Sequence, residues 1–225
     1  MKLKKFEDYI IKEDVGGELN SPKRSERILT QAQRNHEESP ETNSEGSSSI
    51  MPAMVFTDVV ESSKQWSYDP QTMFVNLEDH HKLVDALSKK YNGWIVKTIG
   101  DAFMVYFNPS KDSFTNAVKF CKDVILMEKK YKLRVGICHG NMEEKTYTIQ
   151  GVSLRDFFGN AVNMASRMES KLSPQNGIAF SSTKPISSNT IKDIENILGV
   201  EITSVENLDL NGVIVNKAYK AVIKD

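Results

Sequence analysis

Cysteine is nearly missing from this chain. Only Cys121 and Cys138 occur in 225 residues. That excludes a disulfide framework, and with no CxxC spacing neither structural zinc nor thiol redox work is indicated. A charge of one sign is missing as well: 29 Lys and Arg against 30 Asp and Glu leave a formal charge of -1. No strong field draws the chain to nucleic acid or an anionic lipid surface, so neither is expected as a partner. No apolar run reaches membrane-spanning length. The opening MKLKKFEDYIIKED is charged where a signal peptide needs an apolar core. The expected setting is soluble, reducing and cytoplasmic. No internal repeat is visible, and a hydrophobic fraction of 39% is enough for one packed domain.

The composition divides the chain in two. Residues 1–50 contain RNHEESPETNSEGSSS, with almost nothing apolar to bury. Such a stretch cannot offset its ordering entropy, so a disordered or weakly structured arm is expected; a short helix or docking segment at FEDYIIKED is the alternative to a mobile arm there. Residues 51–225 carry regular patterns. MPAMVFTDVV is an apolar strand, and TMFVNLEDHHKLVDALSKKY sets Phe74, Leu77, His81, Val84 and Leu87 at helical spacing. WIVKTI and AFMVYF flank a Gly-Asp turn and form a hairpin. KDSFTNAVKFCKDVILMEKKY is a second helix, KLRVGICHG a strand, and a polar loop follows. FFGNAVNMASRMESKL is a helix, GIAFSS a strand, SSNTIKDIENIL a short helix and NKAYKAVIKD a last strand. The expected class is α+β: a ferredoxin-like βαββαβ core with a C-terminal α/β extension.

In that order the first strand ends at Asp58 and the hairpin turn carries Asp101. The first strand lies beside the hairpin strands, so their ends can bring the two carboxylates together. Paired hard oxygen ligands suit Mg²⁺ or Mn²⁺ bridging substrate phosphates. Each Asp also has a purely structural explanation. Asp is common in hairpin turns, and Asp58 could cap a helix. VVESSKQW could open a helix with free N–H groups for a phosphate, though every helix has such an end. Asn163 and Arg167, four residues apart, share a helix face. Arg offers a multi-donor grip on phosphate, and a solvated helix-end arginine is the plain alternative.

Together, MVFTDVVESS, YNGWIVKTIGDAFMVYF, LRVGICHG, DFFGNAVNMASRMES and NGIAFSS resemble the class III nucleotidyl cyclases, the adenylyl and guanylyl cyclase catalytic domain. The likeness covers residues 53–182, and LDLNGVIVNKAYKAV fits the family's end more loosely. The resemblance implies an adenylyl cyclase that makes cyclic AMP and pyrophosphate from ATP, with two Mg²⁺ or Mn²⁺ ions per site. Asp58 and Asp101 fall on its metal ligands, Lys97 and Asp156 on its base-reading pair. Asn163 and Arg167 fall on its transition-state pair, and Arg134 on a phosphate-binding arginine. The family shares each site between two catalytic domains, so a homodimer is implied.

Lys97 and Asp156 stand where guanylyl cyclases resemble Glu and Cys. A Lys donor with an Asp acceptor matches adenine, which offers an acceptor at N1 and a donor at N6. There are departures from the pattern. GICHG replaces the usual GIHTG, and His139 receives no role. ESS follows Asp58 where Gly-Phe or Gly-Ser is commoner, and Asn211 stands where a phosphate-binding lysine is usual, leaving Lys217 as a substitute. The alternatives are a cyclase of the same family acting on GTP, CTP or UTP, and a regulatory domain that binds nucleotide without turnover. A diguanylate cyclase shares the core but needs a GGDEF-like turn, which this sequence lacks.

Overall fold

The structure is a computed structural model and describes residues 50–224. The expected arm, except for residue 50, lies outside the described residues. β1 (Met51–Val59) is a central strand, buried on both faces. Ala53, Val55 and Val59 point to one core, and Met54 and Phe56 to the other. After the short helix α1 (Ser62–Tyr68), Asp69 accepts the Thr72 N–H at 3.0 Å and Pro70 opens α2 (Pro70–Lys90). A side-chain cap with proline at the first position is a strong helix start.

β2 (Gly93–Ile99) and β3 (Ala102–Ser110) form the expected hairpin, with Ile99 opposite Ala102. Only Gly100 and Asp101 lie in the turn, and Gly100 has φ +65°. A two-residue hairpin needs a positive φ there, which glycine adopts freely. α3 (Ser113–Met127) and β4 (Leu133–His139) complete the βαββαβ unit. β7 (Gly177–Ser182) joins β4 in parallel, and α5 (Ser188–Leu198), β8 (Thr203–Asp209) and β9 (Ile214–Val222) form the extension. The seven strands run β2-β3-β1-β4-β7-β9-β8. Between β4 and β7 come a separate hairpin, β5 (Glu143–Ile149) and β6 (Val152–Phe158), and then α4 (Asn160–Arg167). No helix among the described residues is long and apolar enough to cross a membrane.

The sheet separates two cores. α2, α3 and α5 cover one face, around Val84, Phe120, Val124 and Ile194. α4 and the residue after it cover the other, with Ala161, Met164, Ala165 and then Met168 against Met54, Met104 and Ala179. A fully buried Phe, Val or Leu contributes about 1.5–3 kcal/mol.

Three expectations are corrected. The polar loop after β4 is the β5–β6 hairpin, and Phe157 and Phe158 belong to β6 and not to the following helix. β8, largely exposed, was not anticipated. The buried side of α2 carries Met73 and His80, while Phe74 is 66% exposed. The reason lies in a buried hydrogen bond: His80 Nδ1 sits 2.7 Å from Glu128 Oε2. Burial pushes the Glu128 carboxyl up, but hydrogen bonds from His80 and the Lys130 backbone outweigh it and hold it below its usual range.

α4 approaches the sheet at one point. After Arg167 the helix widens into a π-turn (Met168–Leu172), closed by Ser173 N donating to Met168 O at 2.8 Å. A Cβ on Gly136 of β4 would lie 2.2 Å from both Ala165 O and Glu169 N. Both are backbone atoms with nowhere to go. Gly136→Ala should therefore destabilise by at least about 2–3 kcal/mol, as overpacking against rigid neighbours does. Gly100→Ala, with open space around it, should cost nearer 1 kcal/mol for its positive φ. Urea unfolding of the two variants checks the order.

Candidate active site

Asp58 sits near the end of β1 directly opposite Arg134 of β4. Arg134 Nη2 donates to Asp58 Oδ2 at 2.5 Å. The helix-cap alternative for Asp58 is excluded: α1 begins at Ser62, with Glu61 at its cap position. Gly136 lies two residues past Arg134 on the same strand face, and its bare Cα lets the π-turn settle there. This contact carries Glu169 over the sheet, with Oε1 3.1 Å from Arg134 Nε. Ser173 fixes the turn from below, accepting the Val135 N–H at 3.0 Å and donating to Gly177 O at 2.9 Å.

Asp101 completes the group from the β2–β3 turn. Its Oδ2 is buried without a hydrogen-bond partner. Burial raises the Asp58 carboxyl; the Arg134 hydrogen bond opposes this and the Asp101 charge adds to it. Burial also pushes Glu169 up to about 7, and the charge of Asp58 adds to the shift. Two acids thus meet one guanidinium, and the charge of a third, Asp101, acts on both of them. Such a group disfavours its own ionisation and is relieved by an added cation.

The donor set fits a hard divalent ion. Asp58 and Asp101 supply carboxylate oxygens, one of them an orphaned buried acceptor. Among the described residues no group of three or more His, Cys, Asp or Glu side chains forms a ready cage. Two protein carboxylates, with water and phosphate filling the remaining positions, are what Mg²⁺ commonly takes.

The second group joins Lys97 to Asp156, with Nζ 2.5 Å from Oδ2. Two devices bring them together. The β2–β3 register shifts between Ile95 and Lys97, so Lys97 pairs with Met104 and shares the α4 side of the sheet with it. A bulge re-aims a side chain in this way. Phe157 of β6 then stacks on Tyr106 at 4.0 Å and meets Trp94 edge-on at 5.9 Å. That docks the β5–β6 hairpin with the neighbouring Asp156 against β2. Asp156 is 5% exposed. The Phe157 N–H donates to its Oδ1 at 2.9 Å, and Tyr147 Oη donates to Oδ2 at 3.3 Å.

Asn163 and Arg167 stand one turn apart on α4. Asn163 is exposed and Arg167 partly so, beside the buried Ala161, Met164 and Ala165. Among the described residues no hydrogen bond or ion pair ties either side chain to the two groups above. Lys217 pairs with Glu206 at 2.8 Å and lies 5.8 Å from the Tyr219 ring, part of the α3–α5 core. It is engaged away from Arg134. Asn211 occupies the β8–β9 turn at φ +57°. His139 packs flat on Phe114 at 5.0 Å with Nε2 3.2 Å from Met51 O, a structural position. Glu169 is the residue that sequence reasoning missed. Its partner lies thirty-five positions earlier, and no local spacing announces the contact.

The family described as adenylate and guanylate cyclase catalytic domain matches residues 47–212, well over half of the chain. The chain belongs to this family. A receptor-type adenylate cyclase of Trypanosoma brucei brucei, GRESAG 4.2, is 38% identical over 52 residues, 23% of this chain and 9% of that protein. Among solved structures, the catalytic core of a rhodopsin-guanylyl cyclase with converted specificity, in complex with ATPαS, aligns with TM-score 0.63 at 21% identity, covering 78% of this chain and 97% of that one. Adenylate cyclases from Trypanosoma brucei in their monomeric state align with TM-score 0.62 at 20% identity, over 79% of this chain and 90% of theirs. These likenesses establish the class III cyclase fold. The chain spans only 4–9% of the length of the first curated relatives it matches.

The raised Glu169 value has a measurable consequence. Between its ordinary 4.5 and about 7, the folded chain keeps a proton that the unfolded chain has released. Stability must then fall as pH rises through that interval. In EDTA, Glu169→Gln should flatten the decline between pH 5 and pH 8 by about 1–2 kcal/mol. Denaturant unfolding at the two pH values reads this directly.

Proposed function

We propose that this domain is an adenylyl cyclase, converting ATP to 3′,5′-cyclic AMP and pyrophosphate. The observation that carries the reading is the Lys97–Asp156 pair at 2.5 Å. It sets a donor beside an acceptor, the complement of adenine N1 and N6. Guanine presents the opposite order, so GTP meets donor against donor and acceptor against acceptor. Cytosine shares adenine's order, which makes CTP the nearest competing substrate.

The remaining roles follow from chemistry at each position. Asp58 and Asp101 would hold two Mg²⁺ or Mn²⁺ ions. When bound, such ions lower the pKa of the attacking ribose 3′-hydroxyl and neutralise the departing pyrophosphate. Arg134 contacts the phosphates with its guanidinium fork. Asn163 orients the ribose, and Arg167 stabilises charge gathering on the α-phosphate. Among the described residues, neither Asn163 nor Arg167 is linked to the acidic group of its own chain. That supports sharing: Asp58, Asp101 and Arg134 from one protomer, Lys97, Asp156, Asn163 and Arg167 from its partner. A homodimer then carries two equivalent sites.

A product assay with ATP, GTP, CTP and UTP, each with Mg²⁺ and with Mn²⁺, tests the reading. Cyclic AMP should dominate. Lys97→Glu combined with Asp156→Cys should lower the ATP-over-GTP ratio of kcat/KM by at least about tenfold. An unchanged ratio, or no cyclic product from any nucleotide, overturns the assignment.

Sharing is tested by mixing two dead proteins. Asp58→Ala and Arg167→Ala each disable both sites of a homodimer. After chain exchange, about half of the dimers are mixed, and each of these has one intact site. Activity should recover to about a quarter of wild type. No recovery, with exchange verified by a mass label, rules sharing out.

A further inference from the structure

Arg134 has two acidic neighbours and serves only one of them well. Its Nη2 donates to Asp58 at 2.5 Å. Its Nε lies 3.1 Å from Glu169 Oε1 but without the alignment of a hydrogen bond, so both atoms are buried and unsatisfied. The position of Glu169 is built in. Its side chain is 12% exposed, its backbone rests on Gly136, and Ser173 pins the turn that carries it to β4 and β7. A rigidly placed acid with an unsatisfied oxygen is a second acceptor for the same guanidinium.

Asp58 has two cationic claimants. One is Arg134; the other, resting on the cation site proposed above, is a divalent ion. Both need the same carboxylate. When the ion takes it, the guanidinium loses its aligned acceptor in a partly buried place, and an ionic group stranded there is costly. Glu169 lies within reach of a small rotation.

We propose that Glu169 is a positioning residue that receives Arg134 when a divalent cation takes Asp58. The guanidinium turns from one acid to the other, and its remaining N–H groups are left free for phosphate. Glu169 thereby lowers the penalty that Arg134 imposes on cation binding. This differs from a simple field effect, in which any nearby negative charge attracts the ion whether or not Arg134 is present.

The test uses the full chain, free of nucleotide, with Mn²⁺ alone as the probe. Electron paramagnetic resonance of the free aquo ion gives the affinity at pH 8. Glu169→Gln should weaken Mn²⁺ binding by about tenfold, because Arg134 then keeps its hold on Asp58. Arg134→Gln removes the competitor and should strengthen binding. In that background, Glu169→Gln should change the affinity by less than about twofold. Equal losses in both backgrounds would show a field effect and overturn the proposal. So would an unchanged affinity in Glu169→Gln alone. Asp58→Asn is the control for the underlying site. If wild type shows no saturable uptake, or Asp58→Asn binds as wild type does, the cation site itself fails and this inference falls with it. Thermal melts at the same pH confirm folding. Should Glu169→Gln not fold, Glu169→Asp, whose shorter side chain withdraws from Nε, replaces it with the same expected direction.

Discussion

Strand parity governs this molecule. Side chains alternate across a sheet, so a residue can join a site only from the correct position along its strand. Asp58 shares its side of β1 with Met54 and Phe56, the side that α4 covers. Arg134 shares its side of β4 with Gly136 and Cys138, under the same helix. On strict alternation Lys97 would face the other core, beside Ile95. The register shift at Val96 corrects it, and Lys97 comes to share the α4 side with Met104. The irregularity in β2 is therefore part of how the Lys97–Asp156 contact is made.

The same face must also bring acids close without sealing them off. Gly136 achieves this on β4, because only the absence of a side chain lets helix backbone rest on the strand. The π-turn then offers Glu169 to Arg134 at the point where Arg134 meets Asp58 across the ladder. The result is an excess of negative charge around one fixed cation, in which burial raises both Asp58 and Glu169. Packing and electrostatics are joined here: a methyl group on Gly136 would disturb the acid cluster as much as the core.

Much of this was legible in the sequence. The βαββαβ order, the Gly-Asp turn and the positions of Asp58 and Asp101 follow from short apolar runs and turn chemistry, because the central strands β1, β3 and β4 are buried along most of their length. The β5–β6 hairpin did not show itself because every residue of Glu143–Ile149 is exposed, so no apolar rhythm marks it as a strand. β8 was hidden for the same reason. On α2 the apolar pattern chose Phe74 and His81, whereas His80 is the buried histidine, made tolerable inside by Glu128. A buried polar residue held by a distant partner defeats any reading based on hydrophobicity alone. Glu169 escaped for a related reason, since its significance exists only through a contact across the sheet.

The Lys97–Asp156 contact has its own selectivity, on the function proposed here. To admit a base it must open, and its two halves are not equally free. Asp156 is held by the Phe157 N–H and by Tyr147, with 7% of its side chain exposed, whereas Lys97 is 42% exposed on a flexible stem. The lysine moves and the carboxylate stays. A base that supplies a donor to Asp156 and an acceptor to Lys97 replaces both halves of the broken pair. A base that supplies neither leaves a buried carboxylate without its cation, a loss of about 1–3 kcal/mol or more for each unsatisfied group. Closed, the pair is a stable contact; opened, it penalises every base that cannot substitute for it. Discrimination of one to two orders of magnitude would then arise from what the wrong base fails to replace.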